Sequence, residues 1–349
     1  MRIAEVAPLY ESVPPKLYGG TERVVAYLTD ELVAQGHDVT LFASGDSHTP
    51  ATLVPVAPAA LRLDPSCRDQ LAWHVLMTEM VAARMSAFDI VHFHIAHVHF
   101  PLVRRLGMPH VTTMHGRLDM PELVPFFDEF SDMPAISISN AQRAPLPGMN
   151  WVETIHHGLP EGLLRFRPGP NEYLAFLGRI SPEKRADRAI AIATALGWPL
   201  KIAAKVDHAD VDYFDDVIRP LLDNPLVQFV GEIGEAEKND FLGHARALLF
   251  PIDWPEPFGL VMIEALACGT PVVAFRGGSV EEILEPGVTG FIVDSMEEAI
   301  EATSCIDMID RRACRRAFER RFTARRMAHQ HLATYARVID EKTEATAAL

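Results

Sequence analysis

The sequence has few cysteines and no long apolar run. Its cysteines (Cys67, Cys268, Cys305 and Cys314) show neither the dense spacing of a disulfide framework nor a metal-type pairing, so we expect reduced thiols. No uninterrupted apolar stretch approaches about 18 residues, which argues against a membrane span. The N-terminus enters a strand pattern directly and shows no signal peptide. These absences favour a cytoplasmic protein whose membrane association, if it has one, is peripheral.

The chain also has fewer basic than acidic residues. The formal net charge of -15 argues against a nucleic-acid partner and against strong attraction to anionic lipid. One local exception is a run of eight arginines between Arg311 and Arg326. It indicates either an anion or membrane-surface patch, or a helix pair whose arginines extend outward while Phe318, Phe322 and Met327 pack inward. The acidic remainder of the chain favours the second interpretation.

The chain is long enough for two domains, since 349 residues exceed most single cores. Two halves repeat an alternation of short apolar strands and helices, which predicts an α/β fold with parallel sheets covered on both faces. Gly158–Pro170, rich in glycine, proline and arginine, separates the halves. We therefore expect domains at 1–162 and 163–322, facing each other across a ligand cleft. The predicted strands are Arg2–Ala7, Asp38–Ala43, Ile90–His94, His110–Met114, Ala135–Ile138, Tyr173–Leu177, Leu200–Ala204, Val227–Val230, Ala247–Pro251, Val272–Phe275 and Gly290–Val293, with helices at Thr21–Gln35, about 69–86 and Glu183–Leu196.

One segment places two carboxylates around the start of a predicted helix. Glu256 stands between two prolines, and Glu264 lies eight positions later in an apolar run that Gly269 ends. A helix beginning near Phe258 would point its first unpaired N–H groups at a ligand, with Glu264 about two turns in. Carboxylates beside free amides suit a hydroxyl-rich ligand, because each can accept two hydroxyl hydrogen bonds. The alternative is an ordinary acidic helix start with Glu264 on the solvent face.

A second candidate site is the glycine pair that opens the first predicted helix. Gly19 and Gly20, after Tyr18, would let backbone N–H groups approach an anion or a sugar, with the helix dipole adding to the attraction. The loop contains neither G-x-G-x-x-G nor G-x-x-x-x-G-K-[ST], so neither a dinucleotide nor a P-loop site is indicated. A glycine turn that serves only chain geometry is the alternative.

Two cations flank a helix start in the second half. Arg179 ends a predicted strand, and Lys184 falls in the first turn of the helix that Ser181 and Pro182 introduce. A lysine there opposes the helix dipole. Two cations at a helix N-terminus suit a diphosphate, and a solvated surface pair is the alternative.

Histidines cluster near a strand end in the first half, among them His92 and His94. Alternating histidines invite a metal interpretation. No cysteine or acidic cluster nearby completes a metal site, and we expect the alternating side chains to point to opposite faces. A cleft-lining polar role for one or two of them, or plain packing, is favoured instead. His115 lies just past another strand end beside Gly116, where a side chain can reach a ligand.

These motifs, in the order in which they occur along the sequence, resemble those of retaining, nucleotide-sugar-dependent glycosyltransferases of family 4 (glycosyl transferases group 1). That family has the GT-B fold of two facing Rossmann-like domains, and the resemblance covers nearly the whole chain. It implies that the helix at about 323–349 packs back onto the first domain. Two departures stand out: Arg185 replaces a more common glycine, and His157 with Gly158 replaces a more common Asn-Gly.

The resemblance also implies roles for the candidate residues. Arg179 and Lys184 would hold the donor diphosphate, Glu264 the ribose hydroxyls, and Glu256 the hydroxyls of the transferred sugar. His115 would orient that sugar near its anomeric carbon. The further donor-binding residues are Gly19, Gly20, Phe258, Gly259 and Leu260, and His92 and His94 are possible cleft-lining residues.

The implied reaction is transfer from a nucleotide sugar, UDP- or GDP-linked, to a hydroxyl of a carbohydrate, lipid-linked or small-molecule acceptor. Cations stand where the donor phosphates would bind, and the family is metal-independent, so we expect neither metal nor cofactor. With no convincing carboxylate nucleophile, we expect front-face transfer with electrostatic stabilisation of the leaving group. The alternatives are an epimerase or phosphorylase of the same architecture, or a non-catalytic nucleotide-sugar-binding protein. A pyridoxal lysine for a phosphorylase cannot be assigned, and the oligomeric state is open.

Overall fold

The computed structural model describes residues 1–17, 19–62, 64–169 and 172–347. Met1–Gly158 and Ala324–Leu349 form one compact unit, and Leu159–Thr323 form a second. Three positions from the sequence predictions, Tyr18, Pro170 and Leu349, lie outside the described residues.

The first unit is built on a seven-stranded parallel sheet in the order β3-β2-β1-β4-β5-β6-β7. The strands β1, β2 and β4 are buried almost throughout, as a sheet covered on both faces requires. Successive strands are added toward one edge of the sheet from β1 to β3 and toward the other edge from β4 to β7, so the parallel pair β1 and β4 is the topological switch point. The strands are β1 (Arg2–Val6), β2 (Asp38–Ser44), β3 (Thr52–Ala57), β4 (Ile90–Phe93), β5 (His110–Thr113), β6 (Ala135–Ser137) and β7 (Trp151–Thr154).

Helices and short turns connect these strands. The long helix after β1 ends just before Gly36, whose φ of 85° only glycine adopts readily. The next begins at a cap in which the Asp69 carboxylate accepts from the Ala72 N–H at 3.1 Å. The helices are α1 (Gly20–Ala34), α2 (Gln70–Ala82), α3 (Phe100–Leu106), α4 (Leu123–Glu129) and α5 (Asn140–Arg143), with a 3₁₀ turn at Met85–Ala87.

The second unit repeats the topology with a six-stranded parallel sheet in the order β10-β9-β8-β11-β12-β13. Its switch point lies between β8 and β11. The strands are β8 (Tyr173–Ile180), β9 (Leu200–Val206), β10 (Val227–Gly231), β11 (Ala245–Phe250), β12 (Val272–Phe275) and β13 (Gly290–Val293). The helices are α6 (Ala186–Leu196), α7 (Val211–Tyr213), α8 (Glu235–Gly243), α9 (Leu260–Cys268), α10 (Val280–Ile283), α11 (Met296–Ser304) and α12 (Arg311–Arg321), with 3₁₀ turns at His208–Asp210, Arg219–Asp223 and Ile306–Met308 and a π turn at Phe214–Ile218.

The last helix, α13 (Ala324–Ala347), belongs to the first unit. Its Tyr335 is fully buried and donates to Glu5 of β1 at 3.1 Å. No helix in the described ranges is long and apolar enough to cross a bilayer.

All eleven predicted strands are present, but the sequence-based prediction missed the two edge strands of the first sheet. β3 contains Pro55, which lacks the N–H that a central strand needs, and all four residues of β7 are only partly buried.

The arginines of α12 are partly structural. Phe318, Phe322 and Met327 are fully buried, which confirms their inward packing. Arg311, however, does not extend outward. Its buried guanidinium donates to the carbonyls of Arg167, Ala245 and Gly243 and to the Thr270 hydroxyl, all at 2.8–2.9 Å. Four of its five N–H donors are used within the protein, so Arg311 has a structural role rather than forming an exposed anion site.

Candidate functional site

The predicted donor residues of the second unit converge at its switch point. One loop leaves β8 through Ser181–Arg185, and another leaves β11 through Pro251–Gly259. The two loops are joined by a backbone hydrogen bond from Asp253 N–H to Glu183 C=O at 2.8 Å. Ligands of open parallel sheets bind at this place, beyond the carboxyl ends of the strands.

Glu256 and Lys184 form an ion pair across these loops. Trp254 Nε1–H donates to the same oxygen of Glu256, Oε2, at 3.0 Å, and the Lys184 ammonium lies 4.8 Å from the centre of the Trp254 ring. Oε1 of Glu256 has no hydrogen-bond partner among the residues the structure describes. The carboxylate is therefore fixed by one oxygen and can accept a ligand hydroxyl with the other.

A glycine-serine turn that the sequence analysis did not single out supports the Glu256 loop. A Cβ on Gly278 would lie 2.1 Å from the Glu256 carbonyl oxygen, and the φ of Gly278 is 55°. Ser279 donates from its N–H to Glu256 C=O at 2.9 Å and from its hydroxyl to Phe258 C=O at 2.7 Å. This close approach fixes the loop backbone. The signal in the sequence was the Gly277-Gly278-Ser279 run directly after a buried strand.

Glu264 is buried, with 2% of its surface exposed, so the solvent-face alternative is wrong. It is the fifth residue of α9, closer to the helix start than the predicted two turns. Gly259 precedes the helix with a φ of 78°, and Gly269 ends it as predicted. The Lys238 ammonium of α8 donates to Oε1 of Glu264 at 2.5 Å. Lys238 was missed, because nothing in the sequence links it to a glutamate 26 positions away.

Arg179 is surrounded by acids. Its guanidinium donates to Glu183 at 2.5 Å and lies 3.7 Å from an Asp207 oxygen and 3.6 Å from an Asp210 oxygen. A diphosphate that binds Arg179 must therefore compete with carboxylates that already neutralise it.

The predicted position of Lys184 in a helical turn is wrong. Lys184 lies in a turn whose N–H bonds to Ser181 C=O at 3.1 Å, and α6 begins only at Ala186. Between them Arg185 adopts the left-handed conformation, with φ 55° and ψ 50°. That backbone explains why glycine is favoured at this position: a side chain there is strained. Here the Arg185 side chain is held by Asp187 and Asp253, each at 2.8 Å.

In the first unit, Gly19 precedes α1, and Gly20 is its first residue. A Cβ on Gly19 would lie 2.7 Å from Pro15 Cβ and 3.2 Å from a Glu22 oxygen. Burial raises the pKa of Glu22, which places a poorly solvated carboxyl at this helix start. The close contact with Pro15 supports a chain-geometry role for Gly19. A role of both glycines in donor binding stays a prediction.

His92 and His94 point to the same side of the sheet, contrary to the prediction, and their ring centroids lie 4.0 Å apart. The expectation that no acidic group accompanies them is also wrong. Glu5 of β1 pairs in register with His92 of β4 and accepts from His94 Nε2 at 2.8 Å. Ligand atoms of the three residues lie within 4.8 Å of one another, a spacing that a metal ion could bridge. Each of these atoms already takes part in a hydrogen bond, so the cluster is complete as a polar network.

The network extends to His115. His115 Nε2 and His94 Nδ1 are 2.8 Å apart, and the His115 ring stacks on His157 at 5.2 Å. Burial, first of all, and the neighbouring His94 and His157 lower the pKa of His115 well below its ordinary value, so the ring is neutral. The sequence predictions thus named three members of one network. They missed Glu5, although a glutamate within a buried apolar strand was a signal.

Two Rossmann-like units with parallel sheets are the architecture of the GT-B fold, and paired cations and carboxylates lie at the switch point of the second unit. Comparison with known proteins gives the family. The model of "Glycosyl transferases group 1" matches residues 165–317, and that of "Glycosyltransferase Family 4" matches residues 18–135. The chain belongs to glycosyltransferase family 4 and is a transferase enzyme.

Individual relatives agree with this assignment. The chain is 29% identical to a glycogen synthase of Mycobacterium tuberculosis over 83% of its own length and 81% of the relative. It is 25% identical to a D-inositol 3-phosphate glycosyltransferase of Streptomyces scabiei, over 84% and 79%. Among solved structures, AviGT4, a glycosyltransferase involved in avilamycin A biosynthesis, is similar with a TM-score of 0.76, 27% identity and 98% of both chains covered.

Proposed function

We propose that this glycosyltransferase moves a sugar, with retention at the anomeric carbon, from a UDP- or GDP-linked donor to a hydroxyl acceptor without a metal ion. The observation that carries the proposal is the Lys184–Glu256 ion pair at the switch point, with Trp254 on the same oxygen. It places a cation for phosphate and a carboxylate for sugar hydroxyls side by side. Arg179 and the Lys238–Glu264 pair extend the same arrangement.

The proposed roles follow from charge. Lys184 and Arg179 neutralise the diphosphate as the bond from the anomeric carbon to the phosphate oxygen breaks, which is the kind of preorganised electrostatic stabilisation that commonly dominates catalysis. Glu264 holds the ribose hydroxyls through the oxygen that Lys238 leaves unpaired. Glu256 binds the transferred sugar beside the first turn of α9, where Phe258, Gly259 and Leu260 lie.

Front-face transfer fits the pairing of Glu256. A carboxylate that already accepts from Lys184 and from Trp254 is a poor nucleophile, because both donors withdraw charge from it. The acceptor oxygen then bonds to the anomeric carbon on the side that the phosphate leaves, and its proton passes to the departing phosphate oxygen. An adduct on Glu256, found by intact mass after incubation with donor alone, would contradict this step.

The acceptor is proposed only as a hydroxyl compound. The names of the relatives describe a glucan-forming enzyme and an inositol phosphate glycosyltransferase, which share a hydroxyl acceptor and little else. We propose a cytoplasmic reaction, because all four cysteines are free thiols, as is usual in reducing compartments.

The donor is identified by a thermal-shift screen against UDP-, GDP- and ADP-sugars, because a bound ligand raises Tm by mass action. A transfer assay follows, and incubation with donor alone tests the epimerase alternative, since an epimerase would isomerise the sugar without an acceptor.

The site itself is tested by Lys184→Ala. We expect kcat to fall by about 10²–10³, as for loss of one stabilising group. Lys201→Ala is the matched control, because Lys201 lies over Tyr173 at 4.1 Å at the start of β9, away from the carboxyl ends of the strands, and should leave kcat unchanged. Equal activity of Lys184→Ala and the parent would refute the assignment.

A further inference from the structure

In the buried polar network of the first unit, the donor and the acceptor of each hydrogen bond can be assigned. We propose that Glu5, acting through His94, fixes His115 in the tautomer that carries hydrogen on Nε2, so that Nδ1 of His115 is a hydrogen-bond acceptor for a hydroxyl of the bound sugar. Glu5 and His94 are then positioning residues, and Tyr335 completes the carboxylate's environment. The sugar part of this inference rests on the proposed function, but the tautomer does not.

The network starts at Glu5, whose side chain is fully buried. Burial would raise its pKa, but the interactions with His92 and His94 outweigh burial and hold the pKa below its ordinary value. Glu5 is therefore a carboxylate, and a carboxylate only accepts hydrogen bonds. His94 Nε2 at 2.8 Å and the Tyr335 hydroxyl at 3.1 Å must both donate to it.

The position of the hydrogen on His94 then decides which nitrogen of His115 carries a hydrogen. Burial, followed by the influence of His92, lowers the pKa of His94 to about 4, so His94 is neutral and has one hydrogen. That hydrogen is on Nε2, facing Glu5, and Nδ1 is left as an acceptor. His115 Nε2, 2.8 Å from His94 Nδ1, must therefore be the donor of that hydrogen bond. Because His115 is neutral as well, its Nδ1 is unprotonated.

The second branch of the network closes without a conflict. Tyr335 has one hydroxyl hydrogen, which it gives to Glu5, so the hydrogen of His92 lies on Nδ1, 2.6 Å from the Tyr335 oxygen and 3.3 Å from Oε2 of Glu5. His92 Nε2 then accepts from the Thr113 hydroxyl at 2.7 Å. Each donor of this branch has an acceptor, and no imidazole needs a charge.

His115, the last group in this series of hydrogen bonds, has one ring nitrogen still to be accounted for. His115 Nδ1 is buried and has no hydrogen-bond partner in the described part of the chain. A buried acceptor without a partner is unfavourable, and a ligand can satisfy it only if the ligand brings a donor. A hydroxyl can donate to Nδ1, whereas a carboxylate or a phosphate cannot. The network therefore favours a neutral, hydroxylated sugar at this position.

The test is the tautomer of His115, read from imidazole ¹⁵N chemical shifts, which separate protonated from unprotonated ring nitrogens. The full chain is labelled with ¹⁵N-histidine, and the His115 signals are assigned by their loss in His115→Gln. In the parent we expect a protonated Nε2 and an unprotonated Nδ1. A parent His115 that is protonated on Nδ1, or on both nitrogens, overturns the proposal without any variant.

Two substitutions at Glu5 separate positioning from packing. Glu5→Met offers His94 no strong acceptor, so the His94 hydrogen moves to Nδ1 and the His115 hydrogen moves to its own Nδ1. Glu5→Gln keeps a carbonyl acceptor for His94, so the His115 tautomer stays as in the parent. A folded Glu5→Met variant with the parent's His115 tautomer would overturn the proposal.

Thr112, the residue before Thr113 of the network, offers a matched control. The Thr112 hydroxyl of β5 and His99, the residue before α3, make an equally buried contact at 2.8 Å that lies outside the hydrogen bonds linking Glu5 to His115. Thr112→Val should leave the His115 shifts unchanged, and a changed tautomer there would show that general loosening moves it. The measurement needs no donor or acceptor, so its outcome is independent of whether sugar transfer is observed.

Discussion

At the scale of the residue, each cation of the donor region has a carboxylate partner. Glu183 is the nearest partner of Arg179, and Lys184 and Lys238 pair with Glu256 and Glu264. Such pairs reduce the repulsion between the cations. If a diphosphate binds Arg179 as proposed, it must displace at least Glu183, so donor binding would be an exchange of anions.

We predict that Glu183→Gln lowers the donor KM, because it removes the anion that competes for Arg179. The pair is one-third exposed, so the gain is at most about 1 kcal/mol, or roughly fivefold. Initial-rate kinetics measure it. The control is Asp215→Asn, which breaks another i,i+4 pair of the same unit, with Arg219. A raised donor KM in Glu183→Gln would show that Glu183 orients Arg179 rather than competing for it.

Arg185 allows a test of backbone strain. Both Arg185→Ala and Arg185→Gly lose the ion pairs with Asp187 and Asp253, but only glycine relieves the left-handed backbone. We expect the glycine variant to be more stable than the alanine variant by about 1 kcal/mol, measured as the free energy of unfolding in urea. Equal stabilities would mean that this turn relaxes when its side chain is shortened.

At the scale of the element, the glycine turn before α10 shapes the loop that carries Glu256. We predict that Gly278→Ala destabilises the protein and raises the donor KM at least tenfold, because its methyl group would collide with the Glu256 carbonyl. Gly287→Ala is the control, with a comparable positive φ of 76° and no atom near its Cβ. It should cost only about 1–2 kcal/mol and leave KM unchanged. If both variants changed the donor KM equally, the Gly278 turn would have no specific effect on donor binding.

The elements show how far the sequence alone could lead. Strong apolar strands and the Gly36 and Gly269 helix ends were predictable, because their signals are local. The start of α6 was not, because Arg185 takes a backbone that its residue type disfavours. Edge strands β3 and β7 were missed, because half-exposed strands lack an apolar pattern.

The residues of the candidate site also fall into those that the sequence could predict and those that it could not. Glu256, Glu264, Arg179 and Lys184 lie near strand ends or helix starts, so their place in the second unit could be predicted, although the helical position of Lys184 could not. Their partners Trp254 and Lys238 could not, since packing of separate elements selects them. The contact from Tyr335 to Glu5 spans 330 positions and needed the folded structure.

At the scale of the whole molecule, buried histidines make stability depend on pH. Burial lowers the pKa of His110 and His331 to about 4 and that of His157 to about 3. The unfolded chain, with ordinary values near 6.5, binds more protons below that pH, so stability rises with pH between about 4 and 6.5. The buried carboxylate Glu5 has its pKa lowered, and its contribution is lost only at still lower pH.

We therefore expect Tm to fall between pH 7.5 and pH 5, with each such histidine costing about 2 kcal/mol at pH 5. Differential scanning calorimetry at the two pH values measures this. His110→Gln removes one of the groups and should reduce the difference in Tm. A Tm that does not change over this range would mean that these histidines are charged in the folded protein.

The first unit is discontinuous in sequence, since α13 follows the whole of the second unit and supplies Tyr335 to the centre of the first sheet. During synthesis, the second unit leaves the ribosome complete while the first still lacks a helix. Glu5 would then lack its phenol partner until α13 emerges. The polar network around His115 thus forms only after the second unit has been made, and a chain stalled before α13 would carry a complete second unit and an unfinished first unit.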